Sequence, residues 1–250
     1  MQLETDLSHQ LRCLKLSGIL DTLEVRVLES QKNELDYQTF LSLLLQDELE
    51  AREQRKVQRL IKAARFASEQ TLENFDLALA PYLSKTLLRE LATCAFVRRG
   101  DGVILLGPPG TGKTHLASAL GHQACRKTFT VFFYKFHQLF SELARAEVVG
   151  ALDKLLKKIT HCDLLILDDF AFKKIDQQNS EWLYHIVDTR YASKAMILTS
   201  NRAMSDWMGV FPDPVIAGAI LDRLAHQAHQ IHLKGESVRK KLAKRKQTNP

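Results

Sequence analysis

The chain is predicted to be an α/β protein, with a parallel five-stranded sheet flanked by helices and a small all-helical domain before it. Three observations carry this. From Gly102 onward, short apolar runs alternate with helical patterns, the order of a parallel sheet covered on both faces. Asp163-Leu164-Leu165-Ile166-Leu167-Asp168 is nearly continuous in apolar residues, as in a strand buried on both sides. The first 70 residues contain no proline and, Gly18 apart, no glycine, so long helices can run there.

Taken in order, Leu7, Leu11, Leu14, Leu20, Leu23, Val27 and Leu28 recur at helical spacing, with Gly18 as a possible break. A second helix is expected from Asp36-Tyr37 to about Phe66, its apolar side built from Phe40, Leu43, Leu44, Leu49, Val57, Leu60, Ile61 and Ala64. Its second half carries Arg52, Arg55, Lys56, Arg59, Lys62 and Arg65, and Glu48 pairs with Arg52 at i,i+4. That basic face reads either as solvated or as contacting DNA. Residues 1–70 thus form a helical N-terminal domain for partner or DNA contact. Residues 71–100 lead into the next domain through a turn at Thr71–Asp76 and one periodic helix from Leu83 to Val97. Phe75 is a core phenylalanine or an adenine-side contact. Strands are expected at 103–106, 129–134, 163–168, 195–199 and 230–233. Helices are expected at 113–126, 137–146 with 150–159, 177–192 and 215–228.

Between the first strand and its helix lies Gly107-Pro108-Pro109-Gly110-Thr111-Gly112-Lys113-Thr114, followed by His115. This is a phosphate-binding loop in its required strand–loop–helix setting. Glycines let backbone N–H groups close around an anion, and the helix N-terminus adds unpaired donors and a positive dipole end. The nucleotide-contacting set is Gly107, Pro108, Pro109, Gly110, Thr111, Gly112, Lys113, Thr114 and His115, with Lys113 directed to the β- and γ-phosphates. Thr114 and Asp168, the acid ending the buried strand, are the predicted Mg²⁺ ligands. Asp169 is the predicted general base for the attacking water. Many ATPases of this class carry Glu there, and the shorter Asp bears on the rate of hydrolysis. Asn201, following the next strand, is placed to orient water or touch the γ-phosphate. Arg223 reads either as a finger reaching a neighbouring subunit's ATP or as the local partner of Asp222.

Composition limits the setting. The net charge is +6. Residues 234–250 hold seven Lys/Arg and one acid, Glu236, and the rest of the chain is balanced at 28 of each sign. The tail at 241–250 therefore either contacts nucleic-acid phosphates or is a solvated arm. Cys13, Cys94, Cys125 and Cys162 have no metal-site or disulfide spacing and read as reduced packing residues. With an acidic N-terminus and no long apolar run, a cytoplasmic protein is expected.

Residues 107–117, 164–169, 198–201, the block Asp213-Pro214-Val215 through Leu224, and Lys234-Gly235-Glu236-Ser237-Val238-Arg239 together resemble the IstB family. These are AAA+ ATPases encoded by insertion sequences as helpers of DDE-type transposases. Leu14-Lys15-Leu16-Ser17-Gly18 is also similar, and the likeness spans roughly residues 11–240. The resemblance implies an AAA+ domain over 71–240, without a separate lid and related to DnaC-type helicase loaders. It implies ATP and Mg²⁺ as ligands. It also implies head-to-tail self-assembly on duplex DNA with little sequence preference, bending of that DNA and recruitment of a cognate transposase. Arg223 matches the family's finger position, and Arg239 matches an arginine acting as a nucleotide contact. The family commonly has Tyr before that arginine, where this chain has Val238. The alternative is a loader of a replicative helicase, working through a protein partner gripped by residues 1–70.

Overall fold

The computed structural model describes residues 2–68, 70–75, 83–226 and 228–234, with side chains from residue 6 onward. Arg239 and the basic tail at 241–250 lie outside the described residues. The chain divides into two compact units between Arg59 and Leu60. That division falls inside a helix, earlier than the expected boundary at 70.

The first unit holds α1 (Gln2–Cys13), α2 (Ser17–Asn33) and most of α3 (Tyr37–Ala64). Leu11, Ile19 and Leu44 are its buried core, with Leu16, Leu20, Leu23 and Phe40 packed around them. The break between α1 and α2 is at Lys15, in the left-handed region at φ 57°. It is not at Gly18, which sits in the first turn of α2. A Cβ there would lie 2.7 Å from the Ala51 Cβ and 2.8 Å from the Glu48 Cα, so glycine allows α2 to approach α3. Glu48 does more than pair with Arg52. Its Oε2 accepts the Gly18 N–H at 2.6 Å and the Ile19 N–H at 3.3 Å, capping donors that a helix start leaves unpaired. Its Oε1 meets Arg52 at 2.7 Å and Arg55 at 3.1 Å. Two arginines of the predicted basic face therefore serve packing inside this unit.

In the second unit a short lead-in precedes the sheet. The single helix expected at 83–97 is two, α4 (Lys85–Ala92) and α5 (Ala95–Arg99), because the fully buried Cys94 is left-handed at φ 57°. Five strands follow: β1 (Gly102–Leu106), β2 (Val131–Lys135), β3 (Leu164–Asp168), β4 (Ala195–Ser200) and β5 (Ala228–His232). All pair in parallel, in the order β2-β3-β4-β1-β5. Between them run α6 (Lys113–Arg126), α7 (Phe136–Val148), α8 (Leu152–His161), α9 (Gln177–Arg190) and α10 (Pro214–His226). Strand and helix bounds lie within a few residues of those read from the sequence.

Strand side chains alternate between two cores. Ile104, Leu106, Leu165, Leu167, Met196 and Leu198 face α7 to α10, while Val103, Leu105, Leu164, Ile166, Ala195 and Ile197 face α4 to α6. This is why the β3 run is apolar throughout.

Arg190, 1% exposed, ties two elements together. It donates to the Ile159 and Cys162 carbonyls at 2.7 and 2.9 Å and to the Ala195 carbonyl at 2.6 Å, joining the end of α8 to the start of β4. Cys94, Cys125 and Cys162 are buried and free, and Cys13 is exposed and free. Burial pushes the Cys94 thiol up to about 11 and the Cys125 thiol to about 12. No helix among the described residues is long and apolar enough to cross a membrane.

Candidate nucleotide-binding site

The strand order puts β4 between β1 and β3, so the ends of three strands meet at one edge of the sheet. Ligands of open parallel sheets bind at this carboxyl end. The phosphate loop leaves β1 here. Its first residue is confined from both sides, for the Gly107 N–H donates to the Ser200 carbonyl at 3.2 Å. A Cβ on Gly107 would run into the carbonyl of Leu233. Gly110 and Gly112 follow in left-handed conformation at φ 84° and 93°. Gly112 then caps α6, whose first turn begins with Lys113 and Thr114.

Lys113 is 5% exposed. Its ammonium donates to the Gly107 carbonyl at 2.7 Å and the Pro108 carbonyl at 2.8 Å, lying across the loop. Thr111 closes the loop from within, its hydroxyl donating to the Pro108 carbonyl at 2.9 Å. His115 meets the Phe75 ring edge to face at 5.2 Å, and a Cβ on Gly112 would be 3.6 Å from that ring. Phe75 thus stands at the loop.

Asp168 ends β3 and is 2% exposed. Its Oδ1 accepts the Thr114 hydroxyl at 2.8 Å and the Thr199 hydroxyl at 2.6 Å. Burial pushes its carboxyl above the ordinary range, and these two hydroxyls pull the other way. Asp169 comes next in left-handed conformation at φ 57°. Its N–H donates to the Thr199 hydroxyl at 3.0 Å, and the Phe170 N–H donates to the Thr199 carbonyl at 2.7 Å. One residue of the central strand therefore holds both acids. A threonine hydroxyl has one donor and two acceptor positions, and Thr199 uses it as donor to Asp168 and acceptor from Asp169.

Sequence reasoning missed Thr199. The signal was available, because it is the last-but-one residue of the strand that must lie between the two motifs. Asn201 is half-buried and follows that strand. It lies one step past the paired Leu106 and Ser200, level with the start of the phosphate loop. Among the described residues no cluster of three or more His, Cys, Asp or Glu forms a metal cage. A Thr hydroxyl beside one buried carboxylate, facing a phosphate cradle, suits a cation that keeps waters and shares phosphate oxygens, as Mg²⁺ does.

Arg223 is elsewhere. It borders a cavity of about 40 Å³ together with Gly100, Gly102, Lys194 and Met196. These mark the amino ends of β1 and β4, opposite the phosphate loop. Its partner is Asp188 of α9 at 3.0 Å, which replaces the local pairing with Asp222. A one-residue step along a helix points side chains about 100° apart, whereas α9 packs directly beside α10.

Valine in place of Thr199 keeps the shape and removes the hydroxyl. The expected result is nucleotide affinity within about threefold of the parent and turnover lower by about tenfold. That is the order of one lost hydrogen bond to a charged group placed on the barrier. Nucleotide titration beside steady-state turnover checks it.

The model of the IstB-like ATP-binding protein family matches residues 9–247. A chain named as an ATP-binding protein in an insertion sequence of Mycobacterium tuberculosis is 39% identical over 234 residues, covering 93% of each chain. One named as an ATP-binding protein of insertion sequence IS21 from Pseudomonas aeruginosa is 38% identical over 228 residues, covering 91% of this chain and 86% of that one. Among solved structures, the DnaC helicase loader superposes with a TM-score of 0.54 at 22% identity, over 62% of this chain and 96% of that one. AMPPCP-bound DnaA from Aquifex aeolicus gives 0.59 at 23% identity, over 74% of this chain and 56% of that one. These structural similarities show a fold shared with both, here a parallel five-stranded sheet flanked by helices with a phosphate loop after its first strand. With the family match spanning nearly its whole length and a formed phosphate loop at the strand ends, the chain belongs to the family of IstB-like ATP-binding proteins.

Proposed function

We propose that the chain is an ATP-dependent helper of DNA transposition that hydrolyses ATP, assembles head to tail on duplex DNA, bends it and recruits a transposase. The observation that carries this is the join of Thr114, Asp168 and Thr199 beside the phosphate loop, in a chain whose relatives are named for insertion sequences. Those names favour this reading over helicase loading, which has the fold likeness alone.

In this reading the loop N–H groups and Lys113 bind the phosphates, and Phe75 stands on the base side. Thr114 and Asp168 would hold Mg²⁺, which when bound neutralises charge on the phosphate oxygens. Asp169 accepts the proton of the attacking water, and Asn201 orients that water. Thr199 holds both acids in register. Arg223, at the far end of the sheet from its own loop, serves the ATP of another copy. Such a contact is heterologous and propagates as a ring or a helical filament. Arg239 is proposed as a further nucleotide contact and the tail as a phosphate-binding arm, both from sequence.

Electron microscopy of the protein with duplex DNA provides the test. Head-to-tail assemblies on bent duplex are expected with ATP and not without it, and binding should fall steeply with salt as counterions are released. Binding confined to single strands, or selective capture of a replicative helicase rather than a transposase, would favour the loader instead.

A further inference from the structure

A finger arginine acting on another subunit has to be held at the surface with donors to spare, and something in its own subunit has to hold it there. Arg223 is held in this way from several sides. Its Nη2 meets the Asp188 carboxylate at 3.0 Å and its Nη1 donates to the Ala219 carbonyl at 2.9 Å. The guanidinium lies over the Tyr184 ring at 5.4 Å and the Tyr191 ring at 5.9 Å. Tyr191 is steadied in turn, its hydroxyl 3.2 Å from His226 Nδ1. The Arg223 side chain is 27% exposed and that of Asp188 is 48% exposed. A guanidinium has five N–H donors, and the hydrogen bond to the Ala219 carbonyl engages one of them. The group is therefore aimed, partly open and not used up.

From this geometry we propose that Asp188, with Tyr184 and Tyr191, is the positioning element of the trans-acting arginine. It sets where the Arg223 fork enters the neighbouring subunit's nucleotide site. The inference rests on the reading of Arg223 as a finger and adds to it the residues that aim it. Three features favour a cradle over a fortuitous surface pair. The contacts come from α9 and from the residue just after it, as well as from α10 itself. They are of two kinds, a carboxylate at 3.0 Å and two rings at 5.4 and 5.9 Å from their centroids. The side chain is still 27% exposed, and the edge of a guanidinium is where it meets phosphate oxygens. A half-exposed ion pair is also readily exchanged, so the Asp188 carboxylate can release the guanidinium to an incoming phosphate without holding it back.

Asp188→Asn keeps the side-chain volume and removes the charge. With ATP and duplex DNA both saturating, turnover is expected to fall roughly tenfold to a hundredfold, the order of a 1 Å misplacement of a catalytic group. KM for ATP should stay within about twofold, and nucleotide binding by the isolated subunit should not change. Asp188→Glu, which can still reach the guanidinium, should recover much of the rate. In an Arg223→Ala background Asp188→Asn should add nothing, since there is no fork left to aim. If Arg223→Ala slows turnover while Asp188→Asn leaves it unchanged or raises it, the cradle is overturned and the finger stands. If Arg223→Ala itself leaves assembled turnover unchanged, the finger reading falls and the cradle with it. If Asp188→Asn slows turnover equally with and without Arg223, Asp188 acts on the fold and the positioning role is wrong.

Discussion

Lys113→Ala is expected to lower nucleotide affinity roughly a hundredfold and to abolish ATP-dependent assembly on DNA. The ammonium lies across the loop on the Gly107 and Pro108 carbonyls, where phosphate oxygens can replace them. Each hydrogen bond to a charged group is worth about 1.5–3 kcal/mol, so losing the ammonium costs about 3 kcal/mol, or two decades in Kd. Titration with a fluorescent ATP analogue measures this directly. ATP should also raise the thermal midpoint of the parent by mass action and leave the variant's midpoint in place. Unchanged affinity would mean that Lys113 serves only the loop carbonyls and that the loop is not the nucleotide site. DNA association that still depended on ATP in this variant would defeat the ATP-dependent assembly proposed above.

Arg223→Ala should cost about 10³ in the turnover of assembled protein, the lower end of what a finger contributes. Nucleotide binding by isolated subunits should stay normal, because the residue lies at the opposite end of β1 and β4 from its own loop. Mixing supplies a second measurement. Arg223→Ala subunits keep an intact Asp169, and Asp169→Asn subunits keep an intact finger. Mixed in equal amounts, two nearly inactive proteins should regain activity at about a quarter of their interfaces, as random head-to-tail assembly requires. No recovery on mixing, or lost nucleotide binding in the single subunit, would place Arg223 in its own site or in the fold.

Much of this was legible before any coordinates, for reasons that are local. A phosphate loop needs glycines and a Lys-Thr pair within eight residues, and the strand and helix beside it announce themselves by period. The same holds for β3, whose unbroken apolar run ends in Asp168 and Asp169. Helix bounds such as 113–126 follow from spacing within one segment. Where the local signal was balanced, the reading went astray. Gly18 looks like a helix break in a linear pattern, yet its place in α2 is set by the Ala51 and Glu48 backbone it must clear. Cys94 has no sequence feature that marks a turn, and the left-handed residue there splits an otherwise periodic helix.

The phosphate-loop segment, the two acids at the end of β3 and the alternation of strand and helix were thus already written in residue order, since each depends on neighbours a few positions apart. Partners distant in sequence were settled by the packed fold alone. The hydroxyl that joins Asp168 to Asp169 comes from a strand some thirty residues further on. The carboxylate beside Arg223 proved to be Asp188, on the neighbouring helix, and not the adjacent Asp222. Strand order β2-β3-β4-β1-β5 produced the first, since it brings the carboxyl ends of β1, β4 and β3 together, and the packing of α9 beside α10 produced the second. No spacing rule encodes that arrangement. It follows from burying both faces of one sheet, a condition that every strand and helix has to satisfy at once.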